Sequence, residues 1–263
     1  MNGSSQIHSS CYLKELAVKI RRDIVQLSAA THTPHIGSSL STVEILTMLY
    51  FHVLRENDHF ILSKGHAALA LYVVLEHQGI LNRSELKNFH SNGSRLPGHP
   101  TSVCTSEIEV TTGSLGHGLS IGTGMALAGN RTFVLLSDGE CDEGSTWEAA
   151  LFASQRKLDN LIAVVDYNKW RAFSRTDNLK PLGEKWHSFG WTVREVDGHS
   201  FDALIDVFDG VPFVPEKPTV IIAHTVKGKG ISFMEDRLEW HYLCPDEKQL
   251  EAALKELDFA ESQ

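Results

Sequence analysis

The chain has 263 residues, 42% of them apolar, a net charge of −9 and four cysteines. That length allows one large α/β domain built on a two-sided sheet. The acidic balance argues against nucleic acid or an anionic membrane as a partner, and no apolar run is long enough to cross a bilayer; residues 67–75 come nearest and fall short.

Residues 1–10 are polar, lack a signal-peptide core and are expected to form a flexible tail, leaving 11–263 as one domain. Residues 13–29 carry apolar and charged side chains at helical spacing. Residues 41–53 read as a second helix with Thr42 as its cap. A short buried strand at 60–62 is followed by an apolar helix at 66–78, closed by Gly79. Residues 107–110 read as a short extended run. The turn from Thr111 to Gly118 is glycine-rich and opens a helix through Met125. Buried strands at 132–136 and 161–165 flank helical residues 144–158. Then come a helix at 181–189, a strand at 192–196, a helix at 201–208, a central strand at 219–223 and an amphipathic helix at 247–257. This alternation predicts a doubly wound, mostly parallel sheet flanked by helices. Cys11, Cys104, Cys141 and Cys244 are scattered with no C-x-x-C pair, so reduced thiols and a cytoplasmic address are expected.

Asp138 closes the strand at 132–136, and Asn168 closes the next one, 30 residues later. Two oxygen side chains are thereby expected at the same ends of adjacent parallel strands, the edge where open α/β sheets hold ligands. A hard cation such as Mg²⁺ takes oxygen ligands and commonly shares them with phosphate. The plainer reading is a nucleotide-binding βαβ unit whose aspartate merely ends a strand. A dinucleotide fingerprint does not fit, because Ile121 stands where the third glycine belongs and Gly122 comes one place late.

Fourteen histidines is a high count, and His35, His66, His99 and His241 each stand in or beside a turn rich in glycine, proline or a basic residue. A lone histidine of this kind is usually a surface or core-edge residue. A zinc site at His32 and His35 lacks a cysteine or carboxylate to complete it.

Taken together, nine segments resemble the transketolase family in the family's own order: 35–41, 60–72, 96–101, 109–126, 135–153, 158–169, 185–199, 223–230 and 239–241. The resemblance implies the diphosphate-binding part of a thiamine diphosphate enzyme, with the pyrimidine-binding part on a separate C-terminal subunit, two copies of each chain, and sugar or sugar-phosphate substrates. It implies Mg²⁺ held by Asp138, Asn168 and the Trp170 carbonyl. Ser38, His66, Gly139, Lys227 and His241 would contact the cofactor, and Gly113, Ser114, Leu115 and Gly116 would line its aminopyrimidine side. His35 and His99 would bind donor hydroxyls, while His66 and His241 would stand near the reacting oxygens, where an imidazole can move protons near neutral pH. Glu143 matches a carboxylate at the subunit interface; its plainer role is a helix N-terminal acid. His117 and Tyr242 depart from the usual pattern and border the substrate funnel. The activity implied is transfer of a two-carbon ketol unit from a ketose to an aldehyde or aldose. The alternatives are a carboligase for an unusual sugar or secondary metabolite, and a non-catalytic scaffold subunit.

Overall fold

The apolar runs become five strands of one sheet: β1 (His59–Leu62), β2 (Thr132–Ser137), β3 (Leu161–Tyr167), β4 (Thr192–Asp197) and β5 (Thr219–His224). They pair in the order β1-β2-β3-β5-β4, and every pairing is parallel. The computed structural model describes residues 8–261. Residues 1–7 of the expected tail lie outside that range. Its end is not tail: Ser9 caps the first helix by accepting the Tyr12 N–H, at 3.3 Å.

Ten helices surround the sheet among the described residues: α1 (Ser10–Thr31), α2 (Ile36–Ser41), α3 (Val43–Met48), α4 (Ala68–His77), α5 (Arg83–Leu86), α6 (Gly118–Leu127), α7 (Gly144–Gln155), α8 (Leu182–Ser188), α9 (Phe201–Asp209) and α10 (Glu247–Glu261). Side chains alternate across each strand and so feed two cores. Phe133 and Leu135 pack with α1, α4, α9 and α10, whereas Val134 and Leu136 pack with α6, α7 and α8. The handedness of parallel crossovers explains this division. From β1 to β4 the chain steps in one direction and lays α6, α7 and α8 on one face. From β4 it steps back to β5, so a right-handed crossover must put α9 on the other face. Gly122 lets α6 lie flush on the sheet, since a Cβ there would stand 2.5 Å from Val134 Cγ2.

Local details differ from the sequence reading in two places. Residues 41–53 do not form one helix: α2 begins earlier, at Ile36, and α3 ends in a π-turn at Leu49–Val53. Thr42 makes no side-chain cap. Its buried hydroxyl donates back to the Ser39 and Ser38 carbonyls at 3.0 and 3.4 Å, the local competition that makes threonine ambiguous near helix ends. Residues 107–110 form no strand. Side chains hold them as a loop instead, with Glu107 accepting from Thr105 and Ser106, and Glu109 bonded to His59 at the start of β1. Gly79 does close α4, at φ 75°.

A buried triad ties the helical layer to the loop after β5. Glu44 binds Arg21 on one side and His199 Nδ1, at 2.9 Å, on the other. His199 Nε2 accepts the Val226 N–H at 2.8 Å, and Arg21 Nε donates to the Lys229 carbonyl at 3.1 Å. Burial by itself would raise the Glu44 carboxyl, but Arg21 and His199 bring it down to about 2. With the folded pKa below the unfolded one, the triad stabilises the chain above about pH 4.5 and the contribution drains as pH falls toward about 2. Acid unfolding of Glu44→Gln should lose that segment of its pH dependence, measured by denaturant midpoints at pH 3 to 6.

Candidate active site

The C-terminal edge of the sheet gathers nearly every residue singled out from the sequence. Ser137 and Asp166 are register partners in β2 and β3, so Asp138 and Asn168 follow neighbouring strand ends. Asp138 Oδ2 accepts the Lys169 N–H and the Thr176 hydroxyl, each at 2.8 Å, and Trp170 N–H donates to Asn168 Oδ1 at 3.1 Å. Asp138 is thus bonded from the next strand end to the turn that carries Asn168 and Trp170, in which Lys169 stands at φ 71°.

Asp138 is fully buried and has no ion-pair partner among the described residues. Burial, together with the nearby Asp166 carboxylate, pushes it up to about 7 despite the hydrogen bond from Thr176. Lys227 is equally buried and equally without a carboxylate in contact among the described residues. Burial and the neighbouring Lys64 lower its ammonium to about 8. A buried anion and a buried cation, each unpaired at the same sheet edge, are complementary to a divalent metal carrying a polyphosphate.

Lys227 Nζ reaches Ser38 Oγ at 3.2 Å and His241 Nδ1 at 3.0 Å. Because the ammonium can only donate, Nδ1 accepts and the neutral ring carries its proton on Nε2. His241 lies 4.9 Å from His35 and 5.8 Å from His66 between ring centroids, and His35 lies 6.0 Å from His99. The four histidines therefore form one cluster. Burial lowers all four; Lys227 adds to the effect on His241, which falls to about 3, and His99 and Lys227 add to it on His35, which falls to about 4. All four rings are neutral at pH 7. The ring C–H resonances of His35 and His241 should stay flat between about pH 5 and 8, where an unperturbed histidine titrates. Since unfolding would let these rings take up protons, their neutral burial favours the fold above about pH 6.5, and that advantage fades as pH falls toward 4.

The glycine-rich turn closes one side of the cluster. Gly113, at φ 148°, packs on His99, where a Cβ would stand 3.3 Å from the ring. Ser114 is exposed and Leu115 is half-buried. Gly116, at φ 85°, gives its N–H to Glu140 Oε1 at 3.0 Å. Glu140 also binds Ser63 and the Ser137 N–H, so one buried carboxylate joins the ends of β1 and β2 to this turn. Gly139 follows Asp138 with its N–H on the Asp138 side chain at 3.0 Å. Glu143 is exposed beside Gly116. Cys141 is a buried filler whose thiol is pushed up by burial, an environment for an inert cysteine.

Sequence reasoning missed the network behind this surface. Lys64 and Asp166 form a fully buried ion pair. Asp166 also accepts from Ser41 at 2.7 Å, from Thr225, and from Asn168 Nδ2 at 3.1 Å. Holding the amide nitrogen in this way points Asn168 Oδ1 the other way. A charged residue inside the otherwise apolar run of β3 was the available signal.

Residues 14–262 match the family described as the thiamine diphosphate binding domain of transketolase. The chain belongs to the transketolase family. It is 40% identical over 257 residues to an apulose-4-phosphate transketolase subunit of Phocaeicola vulgatus, covering 91% of each chain. It is also 40% identical over 242 residues to a 6-deoxy-6-sulfo-D-fructose transketolase subunit of Clostridium sp., covering 85% of this chain and 88% of that one. Human transketolase is 39% identical over 251 residues, but there the match covers 87% of this chain and only 39% of the human protein. A solved Pichia stipitis transketolase in complex with sedoheptulose-7-phosphate superimposes with a TM-score of 0.87 at 28% identity, covering 97% of this chain and 42% of that one. This chain thus spans less than half of the solved transketolases it matches, yet nearly the whole of relatives named as subunits. Among the described residues no helix is long and apolar enough to cross a membrane.

Proposed function

We propose that this chain is the diphosphate-gripping subunit of a split transketolase, which transfers a two-carbon ketol unit from a ketose to an aldose with the help of a C-terminal partner subunit. The observation that carries the reading is the unpaired, buried couple of Asp138 and Lys227 at one sheet edge. Mg²⁺ would be held by Asp138, Asn168 Oδ1 and the Trp170 carbonyl. The diphosphate would lie against Gly139, Ser38, His66 and Lys227. Residues Gly113, Ser114, Leu115 and Gly116 would support the aminopyrimidine side.

When bound, thiamine diphosphate supplies the carbon nucleophile that takes up and passes on the two-carbon unit. The chain's own residues do the rest. His241, fixed by Lys227, presents its Nε2–H to a substrate oxygen and holds a proton there. His66 shares that face, and His35 and His99 orient the donor's hydroxyls through neutral donors and acceptors. Neutral rings can both give and receive a proton, which a permanently charged group cannot. Glu143, exposed beside Gly116, would face the partner, with two copies of each chain in the assembly and a cytoplasmic address.

The test is to combine the purified chain with its partner subunit, Mg²⁺ and thiamine diphosphate, and follow glycolaldehyde-unit transfer between a ketose phosphate and an aldose phosphate. Turnover that requires both chains supports the reading. Absence of cofactor binding even with the partner present would end it.

A further inference from the structure

We infer that His199 is a positioning residue for Lys227: it grips the main chain one residue before that lysine and so sets where its ammonium stands for the diphosphate. The inference deepens the function proposed above and rests on Lys227 facing that group.

Lys227 is carried by a loop, not by the sheet, because β5 ends at His224. Its side chain runs inward, fully buried, to reach Ser38 Oγ at 3.2 Å and His241 Nδ1 at 3.0 Å. Gly37 leaves room for the stem, since a Cβ there would stand 3.1 Å from Lys227 Cγ. A flexible four-carbon stem delivers its charge to one spot only where the main chain beneath it is fixed. Two backbone bonds fix the ends of this stretch: the Thr225 N–H donates to the Tyr167 carbonyl at 3.2 Å, and the Gly228 N–H to the Gly37 carbonyl at 2.9 Å. Between them, the Val226 N–H goes to a side chain, His199 Nε2, at 2.8 Å.

The turn after β4 is shaped to bring His199 there. Asp197 and His224 are register partners at the ends of β4 and β5. The Gly198 N–H donates to the His224 carbonyl at 2.9 Å, and a Cβ on Gly198 would stand 2.5 Å from Thr225 Cγ2, so this approach requires glycine. The His199 N–H then bonds the Asp197 carboxylate at 2.9 Å. Because the Val226 amide can only donate, Nε2 accepts, and Nδ1 carries the ring proton to Glu44 at 2.9 Å. Glu44 thus fixes the tautomer and orientation of His199, as carboxylates do for histidines behind metal sites. Its other oxygen takes Arg21, whose Nε reaches the Lys229 carbonyl at 3.1 Å. One buried carboxylate therefore orients both side chains that hold the main chain on either side of Lys227.

The test separates the two ring nitrogens. His199→Asn keeps a donor where Nδ1 meets Glu44 but loses the acceptor for Val226. His199→Gln reaches the place of Nε2 and keeps that acceptor while losing the donor. Each variant loses one bond, so their thermal midpoints should fall alike. The first readout needs no ligand: the ring ¹⁵N resonances of His241 in the full chain, assigned by their loss in His241→Gln. With Lys227 in place, Nδ1 is an acceptor and the two nitrogens resonate far apart. In His199→Asn they should draw together as the tautomers mix, whereas His199→Gln should keep the wild-type pattern. The second readout is thiamine diphosphate affinity of the chain assembled with its partner subunit and Mg²⁺. It should fall roughly 10-fold in His199→Asn and stay within about 3-fold of wild type in His199→Gln. Variants that match each other in either readout overturn the inference, since the Val226 bond would then set nothing. A wild-type assembly that binds no thiamine diphosphate brings down the function proposed above; unchanged His241 resonances in His199→Asn bring down the grip on Lys227 alone.

Discussion

Asp138→Ala is expected to push function and stability in opposite directions. The Asp138 carboxylate is desolvated and close to Asp166, with no cation in contact among the described residues. Removing it should relieve that repulsion and stabilise the ligand-free chain by about 1–2 kcal/mol at pH 7 to 8, the gain typical when a strained site is dismantled. On the proposed function, the stabilisation expected from Mg²⁺ and thiamine diphosphate should disappear. Losing even a supporting group of a metal site weakens binding 10- to 100-fold, so loss of a proposed ligand should exceed about 100-fold. Thermal midpoints with and without Mg²⁺ and cofactor, at matched concentrations, measure both effects. An unchanged cofactor-dependent shift would remove Asp138 from the metal site. A ligand-free midpoint that falls instead would mean that the bonds from Lys169 and Thr176 outweigh the burial of charge.

Lys64→Met should be the most destabilising single change in the site. It leaves Asp166 buried without its cation, and breaking a buried pair in this way costs about 3–5 kcal/mol. Both side chains are fully buried, so solvent does not soften the loss. Asp166→Asn placed in the same chain should recover more than half of the deficit, because the uncompensated charge is then gone. Urea unfolding of the two single variants and the double variant measures the coupling. If the double variant is as unstable as the sum of the singles, the pair carries no interaction energy and the lysine matters only for its packing. The exposed Lys157–Glu216 pair is a useful control, expected to be worth at most about 1 kcal/mol.

The strands were legible because a central parallel sheet is apolar on both faces. β2, β3 and β5 therefore appear as runs made mostly of valine, leucine and isoleucine, whichever way each side chain turns. The strand-end positions of Asp138 and Asn168 followed from those runs, and the grouping of the histidines followed from the family resemblance. What stayed hidden is what depends on pairing between distant residues. Nothing local distinguishes Lys64, beside its glycine, from a surface lysine until Asp166 is placed opposite it. Glu140 reads as one more acid in an acidic loop until Ser63 and Gly116 converge on it. The same holds for residues 107–110, whose β-like sequence yields to side-chain bonds, and for Thr42, whose hydroxyl donates to carbonyls of the preceding turn instead of capping the next helix.

The bonds that complete the cradle join parts of the chain that are far apart in sequence. Arg21 meets Lys229 across 208 positions, and Lys227 meets Ser38 across 189. Closing loops of that length is slow, because the entropy must be lost before the contacts return anything. The ligand cradle should therefore be the last part of the domain to take shape, after the strands around β2 and β3 have found one another. A chain still emerging from the ribosome would hold Asp138 and Asn168 in position and yet lack Lys227 and His241. Competence to bind cofactor would then mark the finished fold, and a folding intermediate could carry half a site without ever competing for the vitamin.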